Sequence, residues 1–600
     1  MSDGMSQLVT TTAGGIRWQV LSKCREQLLG PRGLRLDKWL GAGQAQVVKL
    51  GPRRIVYAVS LPGLRFFVKH NRLADTRDWL RQLLRPGKAR IEHQRAVAMA
   101  LRRVPTFKPL ALGEASWGLI AGDTYLITQD LEGAPLDVFL QRVLPRMERA
   151  RQVRLRQRLA AVLGRFLAHM HQAGVIHDDL HPGNLLIRLD GNDQPFLHLI
   201  DLHAIRLGRP LSWRDSRANL AMLNRWFVLR VGRADRLRFW CAYFEARPDS
   251  RLWPRAPGTT SAQMMKLLAR DLEQQTWRSN LGFWRQRDRR CLATNRYYRQ
   301  VRSAGVAGHA VADLDTAALG PLLADPDEPF RRPGVKLLKD SPSSTVAELN
   351  LSVGGVVQRV IYKRFRLKSR GKPWLGWLRT TPAVRSWILG HGLRERCLPT
   401  ARPLAVLHRR VCGLPREGYL VTAKIADAVD LHQYLNDLHA LPDAKRRVSL
   451  RCRIDQVARL VRELHRCRLS HRDLKAANIL VDNSCNHEVF SDAAQERPLP
   501  GRFYEASLKE PLPGIWLIDL VGMNAPRRLR RGRLVQNLAR LNASVGGSPA
   551  LTRADKLRFL RVYMQWGLCG NARWKDWWRA IERATLLKVE RNRRNGRPLG

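Results

Sequence analysis

The chain repeats itself at long range. The segment VIHDDLHPGNLLI at residues 175–187 is matched by LSHRDLKAANILV at 469–481, so equivalent positions lie 294 residues apart. The same offset relates FFVK, which ends at Lys69, to VIYK, which ends at Lys363. A repeat of this length that carries several separate motifs indicates two homologous domains of about 300 residues each.

The offset grows towards the C-terminal part of each copy. HLIDL at 198–202 matches WLIDL at 516–520, and RADRLRFWCAY at 233–243 matches RADKLRFLRVY at 553–563. These pairs lie 318 to 320 residues apart. An insertion of about two dozen residues in the second copy, around 483–513, accounts for the change.

The domain boundaries follow from composition. Residues 304–330 are rich in Ala, Gly, Pro and Asp and poor in basic residues, which predicts a linker. We therefore expect a first domain over 1–303 and a second over 331–600 with a basic C-terminal tail. In each copy, alternating β-branched segments that predict antiparallel strands precede long amphipathic patterns that predict helices. The expected fold class is α+β, twice over.

Composition limits the partners. The 600 residues contain 105 Lys+Arg against 51 Asp+Glu, a formal net charge of +54, while 44% hydrophobic residues exclude general disorder. Such charge predicts an anionic partner, which is nucleic acid, an acidic membrane face or an acidic glycan. The nine cysteines form no CxxC pair, which argues against a metal cluster such as a zinc ribbon and against a secreted disulfide framework.

The N-terminal sequence bears on location. MSDGMSQLVTTTAGG lacks the basic-then-apolar pattern of a signal peptide, and no uncharged apolar run in the chain reaches 18 residues. We therefore expect a cytoplasmic protein. Its charge is compatible with peripheral contact at the inner, anionic face of the cytoplasmic membrane.

Each copy contains H-x-D, an Asn five residues after that Asp, and then an apolar segment that ends in another Asp. The residues are His177, Asp179, Asn184 and Asp201 in the first copy and His471, Asp473, Asn478 and Asp519 in the second. Phosphoryl transfer needs one carboxylate beside the attacking hydroxyl and oxygen ligands for the magnesium that bridges the ATP phosphates. This pattern predicts Asp179 and Asp473 as catalytic bases, and the later Asp and Asn residues as metal ligands. One such motif is weak evidence, but two at matching spacing make accident implausible.

A lysine ends an apolar, strand-like segment upstream of each of these motifs. Lys69 and Lys363 are the residues concerned, and an ammonium in that place suits the α- and β-phosphates of ATP. The usual partner is a glutamate on the next helix, for which Glu92 is suitably placed. The second copy has Ser386 at that position, and Glu395 is the nearest downstream carboxylate.

Neither copy has a convincing G-x-G-x-x-G before its lysine. GAGQAQ at 41–46 is interpreted as a turn. In the second copy, Ser343, Ser344 and Thr345 either offer hydroxyl and N–H groups to phosphates or form a solvated serine-rich hairpin.

These motifs resemble those of the protein-kinase-like superfamily, and within it the chain most resembles the bacterial lipopolysaccharide kinase family. Members of that family phosphorylate Kdo or heptose sugars of the lipopolysaccharide core. The resemblance covers about 60–300 and 335–565 and rests on the lysine strand, PTxxPLA, H-x-D-L, LIDL and the ADRLRF or ADKLRF helix. It implies tandem bilobal domains, each with a β-rich N-lobe, a helical C-lobe, and ATP with Mg²⁺ or Mn²⁺ in the cleft between them.

Two departures within the repeat concern the substrate. The first copy reads HDDLHPGN, as in kinases of small hydroxylated molecules, with His181 two residues after the catalytic Asp. The second reads HRDLKAAN, a spelling shared with Ser/Thr protein kinases, and Lys475 stands where a lysine steadies the transferring phosphoryl group. The DFG-like triplets are DLH and DLV, which argues against regulation by a DFG phenylalanine.

The resemblance and the charge together favour an ATP-dependent kinase acting on a heptose or Kdo hydroxyl of an anionic glycolipid or oligosaccharide. One alternative is a Ser/Thr protein kinase, favoured by HRDLK. Another is that one copy is a non-catalytic pseudokinase or scaffold. Ser386, in place of the glutamate, indicates the second copy, and Asp178, in place of the HRD arginine, indicates the first. Nucleic-acid binding by RRLRRGR at 527–533 or by the tail 591–600 is disfavoured because base-reading motifs are lacking.

Overall fold

The computed structural model divides the chain into two compact units, the first ending at Asn280 and the second beginning at Leu281. Each unit is described by itself. The structure describes residues 7–51, 53–72, 87–117, 120–247, 253–254, 258–303, 305–366, 380–411, 414–438, 442–482, 514–565 and 573–596. The insertion expected around 483–513 lies outside the described residues.

The first unit begins with strands and ends with helices. Its strands are β1 (Leu8–Ala13), β2 (Ile16–Leu21), β3 (Leu29–Gly30), β4 (Gly33–Leu34), β5 (Ala45–Leu50), β6 (Arg54–Leu61), β7 (Leu64–Asn71), β8 (Pro109–Trp117), β9 (Ile120–Gln129), β10 (Ala134–Pro135), β11 (Val175–His177), β12 (Leu185–Leu189), β13 (Pro195–Leu199) and β14 (Ile205–Leu207). Its helices are α1 (Arg25–Leu28), α2 (Leu36–Gly41), α3 (Lys88–Leu101), α4 (Leu136–Val138), α5 (Arg149–Gln172), α6 (Trp213–Arg230), α7 (Arg233–Glu245) and α8 (Ser261–Arg287), the last of which continues past Asn280.

The second unit repeats this order. Its strands are β15 (Tyr298–Ser303), β16 (Val306–Val311), β17 (Leu337–Ser341), β18 (Ser344–Val353), β19 (Val356–Phe365), β20 (Pro403–Val411), β21 (Leu414–Ala423), β22 (Ala428–Asp430), β23 (Ser470–His471), β24 (Ile479–Asp482), β25 (Ile515–Leu517) and β26 (Met523–Asn524). Its helices are α9 (Thr316–Ala324), α10 (Pro382–Glu395), α11 (Leu431–Asp437), α12 (Asp443–Arg466), α13 (Arg531–Val545), α14 (Arg553–Met564) and α15 (Trp574–Arg594).

The large antiparallel sheets of the two units have the same topology. The strand order is β1-β2-β8-β9-β7-β6-β5 in the first unit and β15-β16-β20-β21-β19-β18-β17 in the second. Small sheets follow in each helical part, with order β10-β12-β13 and β22-β24-β25. The fold is therefore α+β and the sheet-plus-helix unit is repeated, which confirms the sequence expectation on both points.

Strand periodicity places the lysine in each large sheet. In β7, Phe66 and Val68 are buried in the sheet core, so Lys69 lies on the opposite face. Lys69 pairs with Val56 of β6 and with Leu126 of β9. In the second unit Lys363 occupies the matching place, opposite Val346 of β18 and Leu420 of β21.

A long amphipathic helix forms the centre of each helical part. In α5, Leu159, Leu163, Phe166 and Met170 are buried, at the three-and-four spacing of a core-facing helix. In α12 the residues Leu450, Ile454, Val457 and Val461 have the same spacing and are also buried. Among the described residues, no helix is both long and apolar enough to cross a membrane.

The predicted linker covered 304–330, and its described part, residues 305–330, is instead folded into the second unit. β16 pairs with β20, and Val311, Leu319 and Leu322 are buried in the core below that sheet. The scarcity of basic residues in this stretch is compatible with its burial, because a strand and a short helix packed on a core carry few Lys and Arg side chains. The second unit consequently starts before residue 331.

Candidate active sites

The loop that carries Asp179 is held by its own histidine and asparagine. His177 ends β11 and is buried, its Nδ1 accepts from the backbone N–H of Asp179 at 3.1 Å, and its Nε2 lies 3.3 Å from the carbonyl oxygen of Ile200. The side-chain Nδ2 of Asn184 donates to the carbonyl oxygen of Asp179 at 2.8 Å. The Asp179 side chain is 66% exposed and is therefore accessible to a substrate.

The second unit builds the same loop around Asp473. His471 is buried and its Nδ1 accepts from the backbone N–H of Asp473 at 3.1 Å, while Asn478 donates to the Asp473 carbonyl oxygen at 2.7 Å. Burial lowers the pKa of His471 and that of His177, which suits the acceptor role of both Nδ1 atoms. Each histidine is thus a loop-fixing residue.

Asp201 and Asp519 share an unusual backbone conformation. Each follows a buried strand, and their φ angles are +62° and +55°, in the left-handed region that non-glycine residues rarely adopt. Such strain persists where the surrounding fold requires it and is concentrated at functional sites. In the first unit, His203 Nδ1 lies 2.6 Å from Oδ1 of Asp201.

Lys69 forms an ion pair with Glu92 in the first unit. Glu92 lies on the buried face of α3 with Ala89 and Ala96, and its side chain is 1% exposed. Lys69 Nζ donates to Oε2 of Glu92 at 2.8 Å, and Arg54 Nη2 donates to Oε1 at 3.1 Å. Burial raises the pKa of Glu92, but the charges of Lys69 and Arg54 outweigh that effect and the pKa is lowered.

Arg54 is the member of this cluster that the sequence motifs missed. It is the first residue of β6, the strand that pairs with both β5 and β7. The GAGQAQ segment at 41–46 covers the end of α2 and the start of β5, with a turn between them as expected. The available signal was spacing: Arg54 stands two residues before Val56, which pairs with Lys69, and alternate residues of a strand share one face.

The lysine of the second unit has a different partner. Lys363 Nζ donates to Oδ1 of Asp519 at 2.7 Å. Ser386 takes the place of Glu92 on the buried face of α10, and its hydroxyl donates to the carbonyl oxygen of Pro382 at 2.9 Å. Glu395 is the exposed last residue of α10.

The serine-rich segment before Lys363 is a hairpin. β17 and β18 pair across it, with Ser341 opposite Ser344. Thr345 is buried; its hydroxyl donates to Asp340 at 2.9 Å and accepts from Arg364 and Arg366. The segment therefore forms a hairpin. The Thr345 hydroxyl is hydrogen-bonded to side chains of the same hairpin and at the end of the neighbouring strand.

Lys475 belongs to the loop that carries Asp473. It precedes the single helical turn Ala476–Asn478, and its carbonyl oxygen accepts from the backbone N–H of Asn478 at 3.0 Å. Its side chain is partly buried, two residues beyond Asp473.

The donor sets fit a hard divalent cation. Asp201 with Asn184, and Asp519 with Asn478, provide carboxylate and carboxamide oxygens, which Mg²⁺ prefers. Ligand atoms of Glu92, Asp201 and His203 also lie within 4.8 Å of one another. Glu92 already accepts from Lys69 and Arg54, so Asp201 is the member of that group best able to serve a cation. Both units thus combine a phosphate-compatible lysine, oxygen ligands and an exposed carboxylate.

The chain is similar to a solved structure and to one protein family. A solved structure titled "WaaP in complex with acyl carrier protein" is similar to it at 25% identity, covering 40% of this chain and 92% of that chain with a TM-score of 0.28. No curated protein matches the chain. The family model described as "Lipopolysaccharide kinase (Kdo/WaaP) family" matches residues 58–243 and 355–493, more than half of the 600 residues and one segment in each unit. The chain therefore belongs to the lipopolysaccharide kinase (Kdo/WaaP) family, whose members are phosphotransferases.

Proposed function

We propose that the protein is an ATP- and Mg²⁺-dependent kinase that phosphorylates a heptose or Kdo hydroxyl of the lipopolysaccharide core. The observation that carries the proposal is the cluster in the first unit, where Lys69 and Glu92 form an ion pair beside Asp201. A phosphate-binding lysine and a metal-binding carboxylate must lie close together in order to act on one nucleotide.

The residues of the first unit take the following roles in the proposal. Lys69, held by Glu92, binds the nucleotide phosphates, and Asp201 with Asn184 holds the metal. Mg²⁺, when bound, neutralises charge on the transferring phosphoryl group. Asp179 orients the sugar hydroxyl and accepts its proton as the new O–P bond forms and the bond from the γ-phosphorus to ADP breaks. The exposure of Asp179 supports access by a glycan.

The second unit carries an equivalent set. Asp473 is the proposed base, Asp519 and Asn478 are the proposed metal ligands, and Lys363 and Lys475 are the proposed phosphate ligands. We propose that each unit is one kinase domain, with the boundary near Asn280 rather than at residue 303.

A second candidate has specific support. The ion pair between Lys363 and Asp519 engages a proposed phosphate ligand and a proposed metal ligand with each other. Ser386 carries no charge that would draw Lys363 away from Asp519, as a carboxylate would. Under this candidate the second unit is a non-catalytic module and the first unit is the active kinase. Single variants Asp179→Asn and Asp473→Asn distinguish the two: the candidate requires that only the former abolishes transfer.

The acceptor in this proposal is an anionic glycolipid or oligosaccharide. The net charge of +54 supports it, because phosphates and carboxylates on a core glycan and on the cytoplasmic leaflet both attract a basic surface. Peripheral contact with the inner face of the cytoplasmic membrane belongs to the same proposal.

Labelled ATP, a deacylated core oligosaccharide and the full chain test the proposal together. We expect label on the oligosaccharide, lost in the Lys69→Met, Lys363→Met double variant. Label on protein hydroxyls with none on the oligosaccharide would overturn the sugar-kinase proposal in favour of a protein kinase.

A further inference from the structure

The two units differ in charge around their proposed catalytic carboxylates. The equivalent helices α6 and α13 can be aligned through a shared contact: Asn219 Oδ1 lies 3.2 Å from Nε2 of His171, and Asn537 Nδ2 lies 3.0 Å from Nε2 of His465. Counting from these asparagines, Asp215 corresponds to Arg533 and Met222 corresponds to Arg540.

Two more differences lie on the loop and on the strand beside it. Asp178 precedes the base in the first unit, and Arg472 does so in the second. Arg206 pairs across β11 and β14 with Ile176, whereas Asn524 pairs across β23 and β26 with Ser470. Three positions that carry an acid or a methionine in the first unit therefore carry arginine in the second. The pairs are Asp178 and Arg472, Asp215 and Arg533, and Met222 and Arg540.

In the first unit the charges of Asp178 and Arg206 neutralise one another. Arg206 Nε lies 3.0 Å from both carboxylate oxygens of Asp178, and Nη2 lies 2.9 Å from Oδ1. The hydrogen bond and charge of Asp178 raise the pKa of Arg206, with a smaller contribution from Asp215. Met222 packs against the catalytic loop, where its Sδ accepts from the backbone N–H of Leu180 at 3.1 Å.

In the second unit the face of α13 that contacts the loop carries the arginines. Asn537 donates to the hydroxyl of Ser470 at 3.1 Å, and Ser544 Oγ accepts from the backbone N–H of Ala476 at 2.9 Å. Ser470 and Ala476 flank Asp473 on either side. Arg540 lies between Asn537 and Ser544 at positions i+3 and i−4, so it shares their face of the helix. Arg540 therefore faces the loop that carries Asp473.

The charge of Arg540 is incompletely compensated. Its Nη1 is buried and has no hydrogen-bond partner within the described part of the chain. Burial lowers its pKa, the charges of Arg533, Arg472 and Arg591 lower it further, and the charge of Asp473 raises it. A buried guanidinium nitrogen that lacks a hydrogen-bond partner and lies among other cations is costly unless an anion joins it.

We propose that Arg540, Arg472 and Arg533 form an anion site that binds a phosphate group on the acceptor, next to the hydroxyl presented to Asp473. The first unit, with its neutralised cluster, accepts a hydroxyl without such a neighbour. A dianionic phosphate fits better than a carboxylate, since a single bidentate arginine suffices for a carboxylate and three guanidinium groups match the several oxygens of a phosphate. An earlier phosphorylation of the same glycan must therefore supply the acceptor of the second unit. This inference rests on the proposed function, in that it requires a glycan at the Asp473 loop.

The test uses the full chain carrying Asp179→Asn, so that only the second unit can transfer. Deacylated core oligosaccharide is supplied with its phosphates and, separately, after hydrogen fluoride has removed them. We expect removal of the phosphates to lower kcat/KM about tenfold or more. In the mirror protein, Asp473→Asn, we expect a change of less than about twofold.

Variants then assign the effect. Arg540→Met introduces the residue of the first unit, and Arg472→Asp changes an exposed side chain, so neither should prevent folding. Each is expected to raise the KM for the phosphorylated oligosaccharide and leave the KM for ATP unchanged. Arg561→Met, at an exposed arginine of α14, is the matched control and should change neither.

Calorimetric binding of both oligosaccharides to the Asp179→Asn, Asp473→Asn double variant provides a readout that needs no turnover. Phosphate-dependent binding to this double variant, together with no transfer by the Asp179→Asn protein, supports the anion site and contradicts catalysis by the second unit. Equal binding of both oligosaccharides overturns the anion site, whether or not transfer occurs. Binding of a phosphoserine peptide as tight as that of the phosphorylated oligosaccharide also overturns it, because the site would then recognise a phosphopeptide.

Discussion

Lys363 and Asp519 form a direct ion pair, with Lys363 Nζ 2.7 Å from Oδ1 of Asp519. The equivalent lysine of the first unit, Lys69, instead donates to Glu92 at 2.8 Å. Both lysines sit at the same register of equivalent strands, while the helix residue facing them differs, Glu92 in the first unit and Ser386 in the second. The lysine thus pairs with a carboxylate in both units, and in the second unit that carboxylate belongs to the proposed metal ligand.

A carboxylate at position 386 should strengthen ATP binding by the second unit. We predict that Ser386→Glu moves Lys363 from Asp519 to the new glutamate and frees Asp519 for the metal. In the Asp179→Asn protein, KM for ATP in glycan phosphorylation should fall about three- to tenfold.

Ser386→Ala is the control for this substitution. It removes the hydrogen bond to Pro382 without adding a charge, and we expect it to leave KM for ATP unchanged. An unaltered or higher KM in Ser386→Glu, in a protein that unfolds at the wild-type temperature, would contradict the account of Lys363.

Arg54 provides a prediction for the first unit. Glu92 is buried, and the Arg54 guanidinium compensates part of its charge. With Arg54→Gln, Lys69 should be held more tightly by Glu92 and shared less readily with phosphate oxygens. Steady-state assays in the Asp473→Asn protein should show KM for ATP raised about three- to tenfold, with partial recovery in Arg54→Lys. If Arg54→Gln leaves this KM unchanged, Arg54 does not act on the nucleotide site.

The buried histidines of the helical parts predict an acid-sensitive fold. Burial lowers the pKa of His171 and of His465 from 6.5 to about 3, and each lies 2.8 Å from a tyrosine hydroxyl, Tyr243 or Tyr563. A group whose pKa is lowered by folding contributes its full stability above pH 6.5 and loses it as pH falls towards 3. Each histidine should therefore reduce the free energy of unfolding by about 1.4 kcal/mol per pH unit in that window.

Chemical unfolding between pH 7 and pH 4 measures this effect. His465→Gln should make the second unit less stable at pH 7 but should flatten its pH dependence, since glutamine does not titrate. The same slope in His465→Gln and wild type would show that this histidine is not the titrating group.

The parts of the site that depend on local sequence were predictable. His177, Asp179 and Asn184 lie within eight residues, and their mutual hydrogen bonds form inside that loop. The ion pair between Lys69 and Glu92 joins a strand to the next helix, and it is found where the spacing placed it.

Features that depend on distant pairing were not predictable. The strand Val306–Val311 looked like a linker because its partner, β20, lies about a hundred residues further along the chain. The pair of Lys363 with Asp519 joins residues 156 positions apart and has no motif of its own. Arg540 stands out only when α13 is compared with α6 in three dimensions, because a methionine and an arginine are both common on helices.

The proposed sugar phosphorylation is tested by the position of phosphate on a defined deacylated core oligosaccharide. Mass spectrometry and NMR would be applied after reaction with the wild-type protein and with Asp179→Asn. We predict phosphate on a heptose or Kdo hydroxyl with the wild-type protein, and loss of the position assigned to the first unit in Asp179→Asn. An unmodified glycan with the wild-type protein, or an unchanged phosphate pattern in Asp179→Asn, would contradict the account.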